Sequence, residues 1–222
     1  MLRNLVNQSR EVTEHLCIVK KMSASDSLAI KTGRPRSPGV HHVIVDGVLD
    51  LIGGGATLTS LSLVDVARRT GISRNSIYRR WHSKDELFSD VVKSMTRPLP
   101  DLTKQSAREN LVTLMDVSFD RVTDQRERRM AETIVAEAQN FPDLHEQYLA
   151  EIVAPLNHAM KLAIRRGKEI GEIRPDIDEN LLCDVLVSCT FAQSSTNFTE
   201  GLDLESANRR KIDLVFDGVS PM

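Results

Sequence analysis

The stretch from Ser62 to Phe88, SLVDVARRTGISRNSIYRRWHSKDELF, constrains the fold more than any other, because it carries three helix start signals separated by tight turns. Ser62 followed by Asp65 resembles a capping box with the shorter Asp in place of Glu, so a helix is expected to start there. Leu63, Val66 and Ala67 supply its apolar face. Thr70-Gly71 ends it, since Gly enters the left-handed region without the clash that a Cβ would add. Ser73 caps a second helix, which keeps Ile72, Ile77 and Trp81 for packing and places Arg74, Asn75, Ser76, Tyr78, Arg79 and Arg80 on a polar, basic side. Ser83-Lys84-Asp85-Glu86 is a full S-x-x-E box, and Leu87, Phe88, Val91, Val92 and Met95 continue at helical spacing into a third, longer helix.

Two helices joined by a Gly turn, the second presenting Ser, Arg, Asn and Tyr outward, form the helix-turn-helix pattern, whose second helix enters a major groove. The residue types suit that place. Arg reads guanine edges and Asn reads adenine edges bidentately, while Ser, Tyr and helix N-termini hydrogen-bond phosphate. Arg74 and Asn75 are base-reading candidates by type, and Ser62, at a helix start, is a phosphate candidate. Spacing alone equally describes a solvated helix hairpin in any all-helical protein.

The run Ala67-Arg-Arg-Thr-Gly71-Ile-Ser-Arg-Asn-Ser-Ile-Tyr78-Arg-Arg-Trp81-His-Ser-Lys84-Asp-Glu-Leu87 resembles the DNA-binding signature of TetR-family bacterial transcription regulators. That resemblance implies phosphate contacts for Tyr78 and Lys84, and base edges facing the opening of the recognition helix, Ser73, Arg74, Asn75 and Ser76. Arg79 and Arg80 stand where the family often holds His and are expected to favour the DNA backbone. Trp81 stands where the family places an aromatic core residue. One departure is Gly53-Gly54-Gly55, where the family usually has a single Gly followed by an aromatic; the loop to Leu61 looks one residue longer.

Charge divides the chain. Residues 31–97 hold 11 Lys and Arg against 6 Asp and Glu, a net of +5, whereas residues 98–222 hold 14 against 22, a net of −8. A basic head on an acidic body suits a protein that meets nucleic acid at one end. No run of about 18 uncharged apolar residues exists, and charges interrupt the N-terminus before any secretory core, so a cytoplasmic protein is expected, without a membrane partner. Cys17, Cys183 and Cys189 are too few and too irregular for a disulfide framework or a zinc site, and read as buried thiols. The adjacent His41 and His42 project about 100° apart on a helix, poor geometry for sharing a metal. No cofactor or metal is expected.

Residues 1–31 are expected to be a disordered extension, the first 21 of them an addition before a natural start at Met22. Residues 32–97 form the head and 98–222 an all-helical C-terminal domain. Lys31-Thr-Gly-Arg34-Pro-Arg36 is a basic arm; Arg34 and Arg36 suit a narrow A·T-rich minor groove, or belong to a solvated linker. Val40, Ile44, Val48, Leu51 and Ile52 make a first supporting helix behind Pro38. Pro98 and Pro100 mark the junction.

Beyond the junction the periodicity is helical throughout. Leu111, Leu114, Met115, Ser118 and Phe119 form one stripe, and Met130, Ile134, Val135 and Ala138 another. A long helix is expected from Pro142 to Gly167, kinked by Pro155. Two apolar stripes close the chain: Leu182, Val185, Leu186, Cys189 and Gln193, then Ile212, Val215, Phe216 and Val219. By resemblance to the family these last two helices make a homodimer; ordinary intrachain core is the alternative.

A twofold dimer sets two recognition helices about one DNA turn apart, roughly 34–36 Å, and selects a palindromic operator on double-stranded DNA. The family implies a repressor released by a small-molecule effector bound among the C-terminal helices. Met115, Phe119, Met130, Phe141, His158 and Phe191 are the pocket candidates, as adaptable apolar or aromatic side chains that serve equally as core. An activator, and a DNA-organising protein without an effector, are the rival readings. No G-x-S-x-G, P-loop, G-x-G-x-x-G or H-E-x-x-H motif points to an enzyme.

Overall fold

A computed structural model of the chain describes residues 38–102, 106–195 and 204–219, and every regular element among them is helical. The expected extension, the arm residues Arg34 and Arg36, and Cys17 lie outside the described residues, as do the side chains of Cys189, Phe191 and Gln193. The head comprises α1 (Pro38–Gly53), α2 (Leu63–Thr70), α3 (Arg74–Tyr78) and α4 (Lys84–Ser94). The body comprises α5 (Ala107–Thr123), α6 (Gln125–Ala136), α7 (Pro142–Tyr148), a π-helical turn (Leu149–Val153), α8 (Ala154–Glu169), α9 (Glu179–Ser195) and α10 (Leu204–Val219).

Local chemistry sets the head's helix ends. Ser62 and Asp65 complete a reciprocal capping box on α2, and Gly71, at φ 70°, ends it with an N–H bond to the Ala67 carbonyl. The Ser83 hydroxyl accepts from the Glu86 N–H on α4, but the Glu86 carboxylate accepts from the His82 N–H at 2.7 Å, one residue beyond the cap. The shorter Asp therefore closes the box, and the longer Glu, expected to do so, overshoots it. Helix α3 is shorter than its pattern suggests: after Tyr78 the chain tightens, with the Arg80 N–H donating to Ile77 O at 2.8 Å.

Two apolar cores organise the described residues. The first joins the head residues Ile44, Ile52, Leu58, Ile77 and Phe88 to Met130 and Ile134 of α6, Leu144 of α7 and Ile152 of the π turn. The second lies among α5, α8, α9 and α10, around Leu111, Met115, Met160, Ile164, Leu186 and Ile212. Helices α6 and α7 thus follow the Pro98–Pro100 junction in sequence yet bury their apolar faces against the head. Val135, placed by periodicity on the inward stripe of α6, is 52% exposed.

Pro155 acts differently from a simple kink. The single helix expected from Pro142 to Gly167 is divided by the π turn just ahead of Pro155, which widens the backbone where proline has no N–H to give and its ring would meet the preceding turn. The stripes on α9 and α10 are also redistributed. Leu182, Leu186, Ile212 and Phe216 are buried in the chain's own core, whereas Leu181, Val185 and Leu214 face outward, 65%, 43% and 74% exposed. Among the described residues no helix is long and apolar enough to cross a membrane, and no cluster of three or more His, Cys, Asp or Glu is placed to hold a metal ion.

Candidate nucleic-acid interface

Helix α3 is fixed from behind and open in front. Ile77 is fully buried on its inner side, and Trp81, just beyond it, is 3% exposed, with its indole Nε1–H donating to Asp90 Oδ2 at 2.8 Å. His41 lies against the Trp81 ring at 5.6 Å between centroids, so Trp81 is packed between α1 and α4 and is not presented to bases. On the outer side Ser73, Arg74, Asn75, Tyr78 and Arg79 are exposed together. The Ser73 hydroxyl caps α3 and donates to Ser76 Oγ at 2.9 Å, orienting the residues that open the helix.

Three other candidates are already engaged inside the molecule. Arg80 folds back, its Nη1 donating to Ser76 O at 3.0 Å. The Ser62 hydroxyl is held within the capping box of α2. Lys84 donates from Nζ to Leu58 O at 3.2 Å and Thr59 O at 3.3 Å, with its ammonium 5.1 Å from the centroid of the Phe141 ring.

The other side of that same Leu58–Thr59 peptide segment is held by α6. Glu137, the residue that caps its C-terminus, accepts from the Leu58 N–H at 2.8 Å, from the Thr59 N–H at 3.0 Å and from the Thr59 hydroxyl. The loop leading into the helix-turn-helix is thus clamped by a carboxylate on its N–H groups and by an ammonium on its carbonyls. A second tie joins the same elements: Asp50 of α1 meets Arg69 of α2 at 2.8 Å and Arg126 of α6 at 3.2 Å, and these guanidiniums, Arg69 first, hold its carboxyl below the usual range. Sequence reasoning missed Glu137 because its partners lie 78 and 79 positions away and no local pattern announces it.

Lys84 therefore has a structural role before any DNA arrives. Lys84→Met, which keeps the aliphatic stem, is expected to lower stability by about 1–2 kcal/mol in the absence of DNA, through loss of charge-assisted bonds to two carbonyls. It is also expected to reduce the salt slope of DNA binding by about one unit. Unchanged denaturation with a reduced slope would show that the loop does not depend on it.

The pocket candidates are not gathered in one place. Met115 is buried in the second core and Phe119 is half-buried on the same helix, while Met130 is buried in the first core and Phe141 packs against it. His158 is exposed on α8. Phe141 lines an open cavity of about 420 Å³ with Ser89, Asn140 and Gln147. A small cavity of about 40 Å³ lies beside Met95, Arg121, Glu127, Tyr148 and Ile152, none of which periodicity singled out as a binding residue.

Comparison with known proteins supplies the family. Residues 58–91 match bacterial regulatory proteins of the tetR family, and residues 100–207 match the tetracyclin repressor-like C-terminal domain. The chain belongs to the TetR family. It is a DNA-binding transcriptional regulator, and its helix-turn-helix is the α2–α3 pair. Among relatives, the uncharacterized HTH-type transcriptional regulator YdeS of Bacillus subtilis is 25% identical over 162 residues, 72% of this chain and 81% of that one. The transcriptional regulator FadR from Bacillus subtilis, solved in complex with stearoyl-CoA, superposes with a TM-score of 0.60 at 17% identity, over 81% of this chain and 99% of that one. The ketosteroid transcriptional regulator KstR2 of Mycobacterium tuberculosis superposes with a TM-score of 0.59 at 19% identity, over 86% and 98%. At these identities the two structures attest the TetR fold alone.

Proposed function

We propose that this TetR-family regulator is a homodimeric repressor that reads a palindromic operator through α3 and is released from it by a small-molecule effector. The observation that carries the reading is the exposed group Ser73, Arg74, Asn75, Tyr78 and Arg79, held outward by a capped helix whose inner side is buried. Arg74 and Asn75 are assigned to base edges, Tyr78 and Arg79 to phosphates, and Lys84 to the loop and to an adjacent phosphate. Ser62, Ser76 and Arg80 shape this surface through their intramolecular bonds, and Arg34 and Arg36 are assigned to the flanking minor groove. Residues 32–97 serve as the reading head and residues 98–222 carry effector binding and dimerisation.

Outward-facing Leu181 and Val185, one turn apart on α9, and Leu214 on α10 support a dimer through the last two helices. Such residues lose water contact when a second copy packs against them. The effector half of the proposal is supported by two relatives of the same fold: one was solved with stearoyl-CoA, and the other is named for ketosteroids.

Selection of bound sequences from a random duplex pool tests the reading. Enriched inverted half-sites about one DNA turn apart are expected; enrichment of A·T-rich DNA without half-sites would exclude it. On the selected operator, Arg74→Ala and Asn75→Ala are each expected to cost about 1–3 kcal/mol of discrimination at particular base pairs. Equal losses on every sequence would reassign the residue to phosphate.

A further inference from the structure

We propose that the cavity enclosed by the end of α4, α5, α6 and the π turn is the effector site, and that its ligand is an amphipathic monocarboxylate whose anionic head meets Arg121. This rests on the effector-released reading above and names the chemistry of its ligand. The cavity, about 40 Å³, has apolar walls from Met95, Ala131 and Ile152 and polar ones from Arg121, Glu127, Arg128 and Tyr148.

The charges around it do not balance. Arg121 of α5 and Arg97, just beyond α4, bear on the same site and repel each other, while Glu127 of α6 is the carboxylate that acts on both. Arg128, which also lines the cavity, pairs with Glu132 at 3.9 Å, so Arg97 and Arg121 share the carboxylate of Glu127 and leave an excess positive charge in a partly desolvated place, where an added anion gains more than it would in water. Burial, with Arg97 adding to it, holds the Arg121 guanidinium below its ordinary pKa; burial also pushes the Tyr148 hydroxyl up.

Arg121 is also poised geometrically. Its Nη1 donates to Ile152 O at 2.9 Å and so fixes the plane of the guanidinium against the π turn. Its Nε is buried without a hydrogen-bond partner. Nε and the neighbouring Nη2 form one of the forks that a carboxylate meets with two parallel bonds. Most buried donors are paired in folded proteins, so a buried guanidinium nitrogen without a partner, beside a cavity, points to a missing acceptor.

The size of the cavity adds a mechanism. About 40 Å³ admits water but not a ligand's tail, since small-molecule sites usually span roughly 300–1,000 Å³. At this volume Glu127 is the resident carboxylate: burial raises its pKa while Arg97, at 2.7 Å, opposes the shift. An entering carboxylate competes with Glu127 for the same guanidiniums, and its tail spreads Met95 from Ala131 and Ile152. The contact loosened is the one that ties α6 to Arg97, at the end of the head.

Octanoate, with 1-octanol at equal concentration as the neutral counterpart, tests this on the full chain by thermal shift and calorimetry. Octanoate is expected to raise the melting temperature more than octanol does. Glu127→Gln, which removes the resident competitor, is expected to bind octanoate about tenfold more tightly, and Arg121→Met at least about tenfold more weakly. Glu127→Gln stands independently should Arg121→Met fail to fold. Octanol equalling octanoate, or Glu127→Gln leaving octanoate affinity unchanged, overturns the proposal. Operator release measured in parallel separates it from the broader reading. Release by an uncharged compound, without octanoate binding, sinks the carboxylate site and keeps the effector. Octanoate binding that leaves operator affinity untouched overturns the effector role assigned to this cavity.

Discussion

Trp81→Ala is expected to cost about 3–5 kcal/mol of stability and to abolish operator binding on every sequence alike. Trp81 is 3% exposed at the point where α3 returns toward α4, and it supports α3 from behind along with Ile77. Truncation leaves a large cavity and also strips Asp90 of its 2.8 Å bond from the indole, leaving that carboxylate to His41 and Lys93, each at 3.5 Å. Trp81→Phe keeps most of the apolar volume and loses the hydrogen bond, so about 1–2 kcal/mol is expected. Because this is the chain's single tryptophan, urea denaturation should be followed by far-UV circular dichroism. Full stability in Trp81→Ala together with lost DNA binding would contradict the packing role and make the indole a DNA contact.

The head was largely legible because its information is local. Ser62, Gly71, Ser73 and Ser83 each act within a few residues of their own position, and the structure uses all four as helix boundaries. Trp81 was read as packing, and it is. What misread was side-chain reach: Glu86 bonds past its cap, although the box spacing is correct. The body was legible as helices and much less so as surfaces. Periodicity shows that α9 and α10 have apolar faces but not which of them the chain covers itself; Leu182 and Phe216 are buried while Leu181 and Leu214 stand outside. The π turn was similarly hidden, since Pro155 announces a disturbance but not whether the helix bends or widens. The polar cluster of Arg97, Arg121 and Glu127 comes from three separate elements, and no spacing rule links them.

Glu137→Ala carries the second large expectation: a loss of about 2–3 kcal/mol and a loosened entry to the helix-turn-helix. Its carboxylate holds two backbone N–H groups and one hydroxyl of Leu58 and Thr59, and Leu58 is fully buried, so water does not replace the lost acceptor there without opening the loop. Charge-assisted bonds contribute about 1.5–3 kcal/mol each, and the exposure of the Thr59 side reduces the total. Amide exchange at Leu58 and Thr59 is expected to accelerate roughly 30–150-fold, the factor corresponding to about 2–3 kcal/mol of local opening. Glu137→Gln retains one acceptor oxygen and is expected to lie between the two. The functional consequence follows from position: this loop precedes Ser62, which starts α2, and α6 carries at its other end Glu127, paired with Arg97. A rigid α6 thus connects the polar cluster to the head at both ends. Operator affinity in Glu137→Ala is expected to fall and to respond less to any effector, because movement of α6 no longer reaches the loop. Wild-type exchange rates at Leu58 and Thr59 in Glu137→Ala would sink the clamp and leave the buried contacts of Met130 and Ile134 as the link between α6 and the head.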